Sequence, residues 1–69
     1  MNIDRIDIEF VHKFMETDGV PTQRLESECV EFLQNLGCSE IEALERIEKA
    51  CAEDWIFKSS SEDGINTYN

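Results

Sequence analysis

Apolar residues along this chain recur at helical more often than at strand spacing. From Ile3 to Met15 they fall at Ile3, Ile6, Phe10, Val11, Phe14 and Met15, the i, i+3, i+4, i+7 repeat of one helix face. Asp4 or Asp7 is placed to cap its start. Ile6, Ile8 and Phe10 also alternate, which over a shorter stretch is a strand pattern. Gly19 and Pro21 end this segment, since one suits a left-handed C-terminal position and the other cannot continue the hydrogen-bond ladder.

Thr22 is an N-cap for a second helix with Leu25, Cys29, Phe32, Leu33 and Leu36 on its apolar face, stopping at Gly37. Ser39 followed by Glu42 makes a capping box, so a third helix is predicted to begin at Glu40. Its inward stripe reads Ile41, Leu44, Ile47, Cys51 and Trp55. Glu42 with Arg46 and Glu45 with Lys49 form i, i+4 pairs on the wet side.

Three such stripes enclose a core only by packing together, which predicts an all-α fold, a bundle of three helices or four over residues 1–57. The expected core is Phe10, Phe14, Leu25, Phe32, Leu33, Leu36, Leu44 and Ile47, with Trp55 at its edge. From Lys58 onward, KSSSEDGINTYN is small and polar, and reads as a flexible, disordered tail over 58–69.

The chain is 69 residues long, a size that removes only about 60% of the unfolded surface from water on folding. Phe10, Phe14, Trp55, Ile56 and Phe57 exceed what one small centre holds, so a homodimer or a partner is expected to cover some of them.

Sixteen acids against six bases give a formal charge of -10, a field that repels nucleic acid and anionic membranes and speeds encounter with basic surfaces. The opening MNIDRIDIEF reads as neither a secretory signal nor a membrane anchor, which predicts a cytoplasmic protein. There the three cysteines, Cys29, Cys38 and Cys51, stay free.

Catalysis needs a positioned nucleophile, base or metal. His12 is the single histidine, and it reads as a boundary residue with no identifiable partner. With Cys29, Cys38 and Cys51 it supplies zinc-type ligands, but without the short loop spacing of structural zinc sites. Cys29 and Cys51 sit on inward stripes as small buried hydrophobes. Cys38 lies at the start of the third helix, where the helix terminus favours a thiolate and Glu40 and Glu42 oppose it. No catalytic residue, cofactor or metal is therefore expected, and a thiol switch at Cys38 is an outside alternative.

The stretch Leu33 to Ile47, LQNLGCSEIEALERI, resembles the first two helices of a ubiquitin-associated domain: Leu36, Gly37, Cys38, Ser39, Ala43 and Leu44 occupy that family's leucine–glycine turn, serine cap and alanine–leucine pair. The resemblance implies a small three-helix binding domain. Cys38 stands where the family carries a bulky residue that touches ubiquitin, and EKACAEDWIF replaces the expected third helix. The segment also resembles a helix-turn-helix, whose recognition helix would present Glu42, Glu45 and Glu48 to DNA phosphates that repel them.

The function expected from these features is a small acidic protein-binding module. It would dock on a basic surface of a partner protein, and modulate or inhibit it, through Glu42, Glu45, Glu48, Glu53 and Trp55. The alternative is a nucleic-acid mimic whose carboxylates fill the groove of a DNA- or RNA-binding protein.

Overall fold

A computed structural model describes residues 3–69. The first segment is helical, as its spacing predicts, and Asp4 caps it: its carboxylate accepts from the Asp7 N–H at 2.9 Å. Helix α1 (Arg5–Glu9) runs into a π-helical turn (Phe10–Phe14), closed by a bond from the Met15 N–H to the Phe10 carbonyl at 3.0 Å. The wider winding brings Phe10, Val11 and Met15 together into the core and leaves Ile3 and Ile8 outside.

The chain then reverses through two short strands, β1 (Glu16–Thr17) and β2 (Val20–Pro21), paired antiparallel. Asp18 and Gly19 between them both have positive φ, 53° and 79°, the two-residue turn that Asp-Gly favours. Strand β3 (Arg24–Leu25) leads directly into helix α2 (Glu26–Asn35). Thr22 does not cap α2: its hydroxyl bonds Thr17 and Val20 in the preceding turn. Instead Glu28 reaches back and accepts from the Leu25 N–H at 2.9 Å.

Gly37, at φ 104°, ends α2. Bonds from the Cys38 N–H to the Leu33 carbonyl and from the Gly37 N–H to the Gln34 carbonyl complete the cap. Helix α3 (Glu40–Ala52) begins where the capping signal places it, with the Ser39 hydroxyl accepting from the Glu42 N–H at 3.1 Å.

The all-α expectation fails at the C-terminal end. Residues 58–69 are no disordered tail: β4 (Lys58–Ser60) and β5 (Asn66–Tyr68) form a hairpin, and β5 lies between β4 and β3 in a three-stranded antiparallel sheet. The fold is a mixed α/β globule, three helical segments with two small antiparallel sheets. The polar composition that suggested a tail belongs to a surface hairpin held by backbone pairing with β3 and by one buried side chain. Tyr68 is buried against the core, its hydroxyl donating to Glu26 at 3.1 Å.

The core gathers Phe10, Val11, Met15, Cys29, Leu33, Cys38, Ala43, Ile47, Ala50, Ile56 and Tyr68, with Phe14, Phe32 and Trp55 packed against it. Phe14 and Phe32 stack with centroids 4.5 Å apart, and the Arg24 guanidinium covers the Phe14 ring at 4.6 Å. Leu25 and Leu44 are not core residues; both are exposed, and Leu36 is half-buried. The stripe assigned to α3 is rotated, because Ala43 and Ala50 face inward and let α2 approach closely. Of the five aromatic and aliphatic residues thought too many for one centre, Phe57 alone stays outside.

Candidate functional site

Helix α3 carries most of the residues that the sequence marks as functional, and its rotation decides what each can do. With 3.6 residues per turn, burial of Ala43 and Ala50 turns Ile41, Leu44, Glu45 and Glu48 to the outside. Arg46 and Lys49 lie on the flank facing α1. Ile47 and Cys51 lie on the flank facing the three-stranded sheet.

On the α1 flank Arg46 keeps its i, i+4 pair with Glu42, and both cations also turn inward to Asp7. Asp7, only 2% exposed, receives Arg46 Nη1 on Oδ1 at 3.0 Å and Lys49 Nζ on Oδ2 at 2.9 Å. The same guanidinium contacts Asp4 at 2.9 Å and Glu42 at 3.2 Å. Burial of Arg46 works against its charge, but the hydrogen bonds to Asp4, Asp7 and Glu42 outweigh it and hold the guanidinium firmly protonated. The Asp7 N–H bond and then Arg46 hold the Asp4 carboxyl below its ordinary value of 3.8. A groove of about 360 Å3 here, lined by Asp4, Glu42, Glu45, Arg46 and Lys49, is bordered by groups that largely satisfy one another.

The sheet flank is different. A hollow of about 310 Å3 lies between α3, the first turn of α2 and the C-terminal hairpin. Ile47, Cys51 and Tyr68 form its base, while Leu44, Glu26, Glu48 and Lys58 stand around it.

The expected binding residues are thus divided. Glu45 and Glu48 share the outward face, and Glu53 caps the far end of α3. Glu42 belongs to the internal ion network. Trp55 is half-buried with Lys49 Nζ 5.5 Å from its ring centroid, and borders a separate hollow of about 160 Å3 with Met15, Pro21, Ile56 and Phe57. Ile41 and Leu44 join Glu45 and Glu48 instead. The apolar spacing puts both on the inward stripe and Leu44 in the core, and the alanines at 43 and 50 are the signal that α3 turns its smaller side inward.

Burial disfavours the thiolate form of the three cysteines. Burial raises all three thiols above the ordinary 9.0, Cys29 to about 12. Cys38 is buried at the start of α3, where desolvation and then Glu42 oppose ionisation despite the helix terminus. That burial also hides the position which, in the ubiquitin-associated pattern, would meet ubiquitin, and after α3 the chain forms the β4–β5 hairpin and no further helix. His12 is exposed, its Nδ1 3.4 Å from Glu16. Among the described residues no three His, Cys, Asp or Glu side chains are placed to hold a metal ion, and no helix is long and apolar enough to cross a membrane.

No protein-family model matches the chain, and no curated protein or solved structure is significantly similar to it.

Proposed function

We propose that this chain is a small acidic protein-binding module that docks on a basic surface of a partner protein and modulates or inhibits it. The carrying observation is the direction of Arg46 and Lys49. Both cations of α3 are engaged with Asp7, so neither neutralises Glu45 or Glu48 on the outward face; among the described residues these two carboxylates take part in no ion pair. Holding like charges together costs folding free energy, and a basic partner recovers it on binding. Glu53, at the C-terminal cap of the same helix, adds a further exposed carboxylate.

Such a surface steers encounter at low salt, and its reach falls to about 8 Å at physiological ionic strength. The test is affinity capture from lysate by the wild-type protein and by a Glu45→Gln, Glu48→Gln, Glu53→Gln variant, each at low and high salt, with mass spectrometry. Proteins of basic isoelectric point should be retained by the wild type at low salt and lost in the other three conditions. Capture of the same set by the triple variant would remove these carboxylates from the function.

A further inference from the structure

The outward face of α3 is not uniformly polar. Ile41 and Leu44, 71% and 39% exposed, form an apolar ridge one helical turn long, and Leu44 leads from it into the hollow of about 310 Å3 over Ile47, Cys51 and Tyr68. Carboxylates border both: Glu45 lies one turn from Ile41, Glu48 one turn from Leu44, and Glu26 stands across the hollow. Of the cations, Lys58 stands at this rim, while Arg46 and Lys49 are drawn to the opposite flank by Asp7.

We propose that this ridge and hollow bind a cationic amphipathic helix of a partner protein. Its apolar side chains, at i and i+3 or i+4, cover Ile41 and Leu44 and enter the hollow, and its lysines or arginines meet Glu45, Glu48 and Glu26. The proposal rests on the reading of the chain as an acidic docking module, and adds where the partner sits and what shape it has.

Charge complementarity selects this occupant. A second copy placed symmetrically on the face would bring Glu45 and Glu48 against their own equivalents, and like charges in a drying interface repel. An uncharged apolar segment would strip water from the same carboxylates and return nothing for it. A helix with one apolar and one cationic stripe answers both features at the spacing α3 presents.

The test is a titration of the isotope-labelled protein, followed by amide chemical shifts, with a synthetic leucine–lysine peptide in amphipathic order and with the same composition scrambled. Shifts should centre on Ile41, Leu44, Glu45, Glu48, Cys51 and Tyr68. Affinity should fall about tenfold, a 1.4 kcal/mol effect, for the scrambled peptide and for Leu44→Ser. Ile41→Ser, at a more exposed position, should weaken binding in the same direction with the fold's spectrum unchanged.

Equal affinity for the scrambled peptide, or unchanged affinity in both serine variants, overturns the proposal. Shifts centred on Glu28 and Glu31 of α2, or around Phe57, overturn this site and leave the acidic docking module standing. No shift even at low salt overturns both. Concentration-dependent shifts of Ile41 and Leu44 without peptide would assign the face to a second copy instead.

Discussion

Arg46 meets Asp7 at 3.0 Å across the interface between α3 and α1, and the carboxylate it holds is almost wholly buried. Lys49 takes the other oxygen, so this aspartate ties one flank of α3 to α1, in register with the inward packing of Ala43 and Ala50. Removing one partner of a buried ion pair costs about 3–5 kcal/mol, because the remaining charge stays desolvated. Lys49 still holds Asp7 after the change and softens that loss, so Arg46→Met should cost about 2–3 kcal/mol, read as a lower urea midpoint with an unchanged slope. A midpoint within error of wild type would mean that the network is ornamental to stability.

The rotated stripe of α3 separates two leucines that the sequence groups together. Leu33→Ala should cost about 2–5 kcal/mol, enough to unfold much of so small a domain. Leu44→Ala should cost less than about 1 kcal/mol. Paired thermal melts decide this, and equal losses would return Leu44 to the core.

Tyr68 fastens the C-terminal hairpin to the core. Tyr68→Ala should destabilise the whole domain by about 3 kcal/mol, with β3, α2 and the hairpin losing amide protection together. Tyr68→Phe keeps the ring and removes the bond to Glu26, at about 1 kcal/mol. If Tyr68→Ala melts only residues 58–69, the hairpin is an appendage and not part of the cooperative unit.

Stability should fall on both sides of neutrality. Asp4 is held below its ordinary 3.8 by the Asp7 N–H and Arg46, so its contribution is present above that value and is lost as pH falls through the lower folded value. Burial raises Cys29 from 9.0 to about 12, and raises Tyr68 above its ordinary 10.0. The unfolded chain therefore loses these protons first, and stability declines from about pH 9 upward. Urea midpoints across that range should drop, and Cys29→Ala should flatten the part beginning near pH 9; an unchanged alkaline slope in that variant would exclude the thiol as its cause.

Helix existence was legible because caps and 3.6-residue periodicity act within a few positions. The Ser39 cap, the Gly37 stop and the apolar repeat of residues 3–15 each correspond to an observed feature. The sheets were hidden for the opposite reason. Arg24 pairs with Tyr68, a partnership that no local window contains, and two-residue strands show no alternation.

Their turns nevertheless left a mark. Asp18-Gly19 closes the β1–β2 hairpin. Asp63-Gly64 sits in the β4–β5 loop, where Gly64 has φ 77° and its N–H bonds the Ser61 carbonyl at 3.0 Å. The site was half-legible: Glu45 and Glu48 follow from the outward face of any version of α3. The apolar residues beside them depended on the inward packing of Ala43 and Ala50 and on the pairing of Arg46 and Lys49 with Asp7, whose charge gave no hint of burial.

The middle position of β5 also bears on synthesis. Helices α2 and α3 are neighbours in sequence and can pack as soon as residue 52 is available, whereas the β3–β5 pairing must wait for Tyr68. While β5 is out of place, β3 lacks its partner and the part of the core that Tyr68 covers is open, so β3–β5 pairing, and not the packing of α2 on α3, is the step that hides this apolar surface.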